Sequence, residues 1–173
     1  KGEEYKYYIP RMDKPIEFEP VAIPIDPYLV GLILGDGSID KDTGFVRITS
    51  HEDDWKTYEK HIKEPIVNIY RKKGQEHIVF VSIKGIGSSV KEFIGCQTSY
   101  TKRIPEILLT GSVSQRISLL QGLMDTDGTI NKKGSMSFTT VSKGLAEDVQ
   151  QLVWTLGGKS SISIRKTNSK FGI

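Results

Sequence analysis

No internal disulfide is available to this chain. Its 173 residues include one cysteine, Cys96, with no Cys or His companion at metal-ligand spacing. Cys96 is therefore expected to be a structural thiol in a reducing, cytoplasmic setting. Long hydrophobic runs are also missing. No stretch approaches the roughly 18 apolar residues needed to cross a bilayer, and the N-terminus lacks the basic-then-apolar order of a signal segment, so no membrane partner is expected. The histidines His51, His61 and His77 show neither zinc-like nor nuclease-like spacing and read as surface or packing residues. What is present, 37% hydrophobic content over 173 residues, suffices for one domain or for two small halves around a shared core.

Charge is unevenly placed. Residues 66–103 carry seven Lys/Arg against two acids, residues 129–173 carry the same numbers, and the remainder sums to −7. Two separate basic segments suit a surface that follows phosphates.

Residues 1–27, with five of the seven prolines, read as an extended lead-in. Asp26 as N-cap and Pro27 at the first helical position then open a short helix through Leu34. Strands are expected near 38–40 and 44–49, followed by a helix capped by Ser50 with Trp55, Tyr58, His61 and Ile62 on one side. Strands at 67–71 and 77–83 join through Lys72-Lys73-Gly74-Gln75, and Val90, Phe93 and Ile94 mark another short helix. After an inter-unit linker at 104–113 the order restarts. A helix from about Ser114, strands near 129–132 and 135–140, and a helical stripe of Leu145, Val149, Leu152, Val153 and Leu156 precede ISIRKTNSKFGI, which matches VNIYRKKGQEHIVF in the first half. The expected units are therefore 28–103 and 114–173, the second ending before the position at which the first adds a further strand and helix. On this reading the second unit is truncated.

The two halves open alike. YLVGLILGDG at 28–37 and LLQGLMDTDG at 119–128 each place glycines within an apolar helix that ends on Asp-Gly. Gly31 and Gly35, and likewise Gly122 and Thr126, are spaced i and i+4, so each helix offers a strip poor in side chains where a second backbone can come close. If those helices pack together about an approximate two-fold axis, Asp36 and Asp127 emerge side by side. Such a pair calls for a cation, and Mg²⁺ favours oxygen sites completed by water and phosphate. Asp125-Thr126-Asp127-Gly128 does not open an EF-hand, because its sixth and twelfth positions are Ile130 and Met136.

LVGLILGDG at 29–37 and LQGLMDTDG at 120–128 resemble the paired signature of the LAGLIDADG, or dodecapeptide, homing endonucleases. The resemblance runs from about Pro24 to about Ile164. Each copy matches in its first leucine, its third-position glycine, its fourth-position leucine and its final Asp-Gly. Leu34 departs from the aspartate common at the sixth position, whereas the eighth-position acid is present in both. The resemblance implies an α+β fold of two pseudo-symmetric αββαββα units, with motif helices at the centre and antiparallel sheets forming a saddle over DNA. It implies site-specific cleavage of both strands of double-stranded DNA, with Mg²⁺, or Mn²⁺ in its place, held by Asp36 and Asp127 and aided by the carbonyls of Gly35 and Thr126. Lys102-Arg103-Ile104-Pro105 resembles the Lys-x-Ile-Pro block of intein-borne members, which makes Lys102 a further catalytic candidate. IPIDPYLVGLILGDG resembles the entry to an intein endonuclease domain, so a monomeric nuclease portion of a larger intein-containing polypeptide is expected.

For DNA contact, strand and turn residues are expected to serve: Arg47, Arg71, Lys72, Lys73, Lys84, Lys132, Lys133, Arg165 and Lys166. Strand alternation puts Arg71 and Lys73 on one face and Lys72 on the other. The alternative function on this scaffold is non-cleaving nucleic-acid binding, as an intron RNA maturase or a DNA-binding regulator.

Overall fold

The computed structural model describes residues 12, 14–40, 42, 45–83 and 86–166. Lys84 and the end of the chain from 167 lie outside the described residues. The first half runs α1 (Pro27–Asp36), β1 (Gly37–Ile39), β2 (Val46–His51), α2 (Glu52–Tyr58), a 3₁₀ turn at Glu59–His61, β3 (Ile66–Lys72), β4 (Gln75–Ile83) and α3 (Gly87–Phe93). The single helical turn α4 (Glu106–Leu109) follows Pro105. The second half then runs α5 (Val113–Asp127), β5 (Gly128–Ile130), β6 (Met136–Phe138) and α6 (Lys143–Thr155).

Local chemistry accounts for where the motif helices begin. The Asp26 carboxylate accepts the Tyr28 N–H at 2.9 Å, and Pro27 has no N–H left to satisfy. At α5, the Ser112 hydroxyl accepts the Gln115 N–H while the Gln115 side chain takes the Ser112 N–H, a reciprocal cap. Residues Tyr28 to Leu34 are buried all round α1, as befits a helix at the centre of the molecule rather than on its surface.

The first sheet has the order β1-β2-β4-β3 and is antiparallel throughout. In β2, Val46, Ile48 and Ser50 are buried, and they pair with Ile83, Val81 and Val79 of β4. The opposite face carries Arg47 and Thr49, with Ser82 and Phe80 across from them. β5 and β6 form a second antiparallel sheet of two strands. The α+β class and antiparallel sheets expected from the sequence are present.

Several local expectations need correction. The cap of α2 is His51, whose Nδ1 accepts the Asp53 N–H at 3.3 Å; Ser50 is buried in β2 and donates to the His51 carbonyl instead. β5 and β6 are three residues each, shorter than expected, because a turn at 132–134 closes on Asn131, whose side chain accepts from the N–H groups of Lys133 and Ser135. Residues 161–166 are exposed and form no strand, so among the described residues the second half has no counterpart of β3.

The lead-in is tied down by two side chains of α5. Gln115 donates to the Val21 carbonyl and accepts the Val21 N–H. Arg116, fully buried, donates to the carbonyls of Gly111, Thr155 and Ile16 and lies over the Phe18 ring. Main-chain carbonyls thus satisfy a buried guanidinium in place of a carboxylate.

Candidate active site

Helices α1 and α5 approach so closely that a Cβ on Gly122 would lie 2.2 Å from the Tyr28 carbonyl oxygen and 3.1 Å from the Gly31 Cα. A Cβ on Gly31 would meet the Leu119 carbonyl oxygen at 2.5 Å, and one on Gly35 the Thr126 hydroxyl at 1.9 Å. Gly31 and Gly122 therefore let two backbones touch where side chains would hold them apart, and Gly35 makes room for the Thr126 side chain. The Thr126 hydroxyl turns back on its own helix, donating toward the carbonyls of Gly122 and Leu123. Both helices end on their aspartate, each followed by a glycine that starts a strand.

Asp36 feels the charge of Asp127. The Asp36 carboxyl is pushed up to about 6, first by burial, then by Asp127, with a smaller push from Asp54; the Lys102 ammonium opposes the rise. Asp36 is exposed as a residue, yet the surrounding protein removes enough water to penalise its charge. Asp127 is also raised by burial, again opposed by Lys102.

Lys102 arrives from the segment between α3 and α4. Its ammonium donates to the carbonyls of Gly35 at 2.5 Å and Gly37 at 3.3 Å, with Ile33 at 3.5 Å, and so sits at the negative end of the α1 dipole. Burial holds its pKa below the ordinary lysine range, against the upward pull of both aspartates. The Gly35 carbonyl, a helper in the metal expectation, is here engaged by this ammonium.

The end of α5 is held differently. Tyr28 donates to the Asp125 carboxylate at 2.7 Å, and the Tyr58 hydroxyl donates to the Asp125 carbonyl. Burial leads in raising both phenols, Tyr58 to about 12. A cation thus caps one helix end and phenols brace the other. Tyr28 and Tyr58 were legible only as packing residues, because their partner lies 97 and 67 positions away.

Among the described residues no group of three or more His, Cys, Asp or Glu is placed to hold a metal ion. Two carboxylates with nearby carbonyls nevertheless suit Mg²⁺, which keeps several waters and takes the rest of its shell from phosphate oxygens.

The basic residues divide. Arg47 lies on the open face of the first sheet, and Lys72 lies over the Phe80 ring, 4.7 Å from its centroid, beside the stacked Tyr70–Phe80 pair. Arg71 instead forms a fork with Glu52 of α2 at 2.8 and 3.0 Å. Arg71 and Lys72 therefore lie on opposite faces, as alternation requires, but Lys72 takes the open face with Tyr70 and Phe80 while Arg71 turns to α2. Alternation keeps Lys72 with Tyr70 on the Phe80 side, and the Glu52 carboxylate holds Arg71 to α2. Lys73, Lys132 and Lys133 are exposed in hairpin turns, and Arg165 and Lys166 are exposed beyond α6.

Residues 114–173 match the family model of the LAGLIDADG-like domain. The chain is 39% identical over 69 residues to a replicative DNA helicase, DnaB, of Mycobacterium intracellulare, covering 40% of this chain. It is 28% identical over 160 residues to the ATP-dependent DNA helicase Hel308 of Thermococcus kodakarensis, and 24% identical over 167 residues to a DNA polymerase of Thermococcus hydrothermalis, covering 86% and 90% of this chain. It spans only 12%, 14% and 10% of the lengths of these three proteins. Among solved structures it is similar to variants of the homing endonuclease I-DmoI, with a TM-score of 0.57, 20% identity and 83% of each chain covered. I-DmoI in complex with DNA and Mn aligns with a TM-score of 0.54 at 19% identity, over 82% of each chain. The N-terminal LAGLIDADG domain of DUF199/WhiA aligns with a TM-score of 0.51 at 14% identity, over 80% of this chain and 69% of that one. The match to the LAGLIDADG-like domain model thus falls on the second half of the chain, and the chain as a whole is similar in fold to the homing endonuclease I-DmoI.

Proposed function

We propose that the protein is a Mg²⁺-dependent, site-specific double-strand DNA endonuclease of the homing type, with Mn²⁺ able to replace Mg²⁺. The observation that carries this reading is the juxtaposition of Asp36 and Asp127 at the ends of two touching helices, close enough to raise the Asp36 pKa. Pure packing of α1 on α5 does not require two carboxylates there. Asp36 and Asp127 would hold the metal, which in such sites activates the attacking water and stabilises the leaving oxygen. Thr126 offers a main-chain carbonyl at the end of α5, whereas the Gly35 carbonyl would serve the metal only if the Lys102 ammonium released it. Lys102 places a cation beside the carboxylates, suited to balancing charge near the scissile phosphate. Arg47, Lys72, Lys73, Lys132, Lys133, Arg165 and Lys166 supply cations for the DNA backbone, with Lys84 and Arg71 as the remaining candidates.

An intein origin is part of the proposal. About nine-tenths of this chain aligns with about a tenth of a DNA polymerase, and a similar share aligns with a small part of a DNA helicase. One module recurring within enzymes of different names is what an inserted element produces. Incubation with Mg²⁺ and a DNA library containing candidate insertion sites should yield a discrete double-strand break. Equal cutting by a D36N/D127N variant would remove the mechanism. The likeness to the LAGLIDADG domain of DUF199/WhiA supports a second reading, non-cleaving nucleic-acid binding on the same scaffold. It predicts DNA or RNA affinity that is indifferent to D36N/D127N and no break.

A further inference from the structure

Lys102 reaches the paired carboxylates from a segment without regular secondary structure, so its position is set by what grips its neighbours. Arg103 places its guanidinium on Asp148 of α6 as a fork, Nε to Oδ2 at 2.7 Å and Nη2 to Oδ1 at 2.6 Å. The same carboxylate accepts the Ile104 N–H at 2.9 Å. The Lys102 carbonyl accepts the hydroxyl of Ser142, the N-cap of α6, at 2.7 Å. Gly144 completes the seat, for a Cβ there would lie 2.2 Å from the Arg103 Cδ.

Asp148 is only 2% exposed, and its carboxylate takes three hydrogen bonds, all from Arg103 and Ile104. A surface ion pair of ordinary kind contributes little and needs no such enclosure. The clamp fixes the Lys102 carbonyl and the two residues that follow it to α6, while the Lys102 ammonium sits on the end of α1. We propose that Asp148 and Arg103 are positioning residues for Lys102: through them, α6 of the second half sets where the ammonium stands beside Asp36 and Asp127. The consequence for cleavage rests on the endonuclease reading; the positioning itself does not.

Two readouts test the proposal. In the first, an amine-acetylating reagent is applied to the folded protein and each lysine is followed by peptide mass spectrometry. Lys102 should react slowly beside exposed Lys132 and Lys133, and D148N should speed its reaction about tenfold as the ammonium leaves the α1 carbonyls. An unchanged Lys102 rate in D148N would overturn the proposal. In the second, cleavage is measured well below each variant's melting temperature. D148N should slow cleavage about tenfold or more with DNA affinity nearly unchanged, and should slow a K102M variant no further, since the two residues act on one route. Equal slowing in both backgrounds would assign Asp148 a purely structural role. Should D148N not fold, R103K keeps the charge, loses the fork, and is held to the same outcomes. If the wild type cuts no DNA with Mg²⁺, the endonuclease reading fails while the acetylation rates still decide the clamp.

Discussion

At the scale of single residues, Gly122 decides how near the two halves of the molecule can come. A methyl group there would press on backbone atoms, the Tyr28 carbonyl oxygen at 2.2 Å and the Gly31 Cα at 3.1 Å, and backbone cannot swing aside as a long side chain can. The helices must separate, and Asp36 and Asp127 with them. G122A is therefore expected to cost about 3 kcal/mol or more, at or above the upper end for an overpacked core. Gly74 provides the contrast. It has φ +81 in the β3–β4 turn with nothing within 4 Å of an added Cβ, so G74A pays only for its left-handed backbone, about 1 kcal/mol. Urea unfolding of the two variants should separate them clearly. Equal losses would mean that the helices are not in backbone contact.

At the scale of elements, β3 distributes its cations by alternation. With Arg71 held by Glu52 of α2 and Lys72 lying over Phe80 on the sheet's open side, only Lys72 is placed to meet a phosphate. Fluorescence anisotropy on duplex DNA across a salt series should show K72A lowering the slope of log affinity against log salt by about 0.9, one phosphate contact, and R71A leaving it unchanged. A slope change in R71A alone would reverse the assignment. The same strand shows what the sequence makes legible. The sequence places β3 and its two cations at the right positions, because turn chemistry and β-rich composition are local signals. Alternation separates Arg71 from Lys72 but does not say which face is open, and the carboxylate that holds Arg71 lies 19 residues away. The motif helices were legible from Gly31, Gly35 and Gly122, whose spacing is itself the contact surface. Ser50 fails as a cap for the opposite reason: burial at a β2 position paired with Val79 outweighs its capping preference, and His51 takes the role. Tyr58 and the Arg103–Asp148 clamp carry no local signal at all, since each depends on folding to bring distant positions together.

At the scale of the whole molecule, the two halves meet at a pair of carboxylates, so proton and cation binding report on the junction between them. Asp36 has its pKa raised to about 6 from an ordinary 3.8, and Asp127 moves in the same direction. A carboxyl raised in the folded state favours folding in its protonated form. That contribution is full below about pH 4, the unfolded value, and is lost as pH rises through about 6. The metal-free protein should therefore lose thermal stability across that interval, and D36N, which cannot ionise there, should lose less. A divalent cation has the opposite preference, because it binds the charged pair and competes with the protons. If the pair holds Mg²⁺, the rise in melting temperature on adding Mg²⁺ should be small near pH 5 and approach its full size above about pH 7, following the fraction of ionised Asp36. The test is a set of thermal melts at several pH values, with and without Mg²⁺, on the wild type and on D36N. An Mg²⁺ effect of equal size at both ends of the range, or one retained in D36N, would place the cation elsewhere on the surface. An effect that grows with pH in the wild type and vanishes in D36N would tie metal, proton and the contact between the halves to one site.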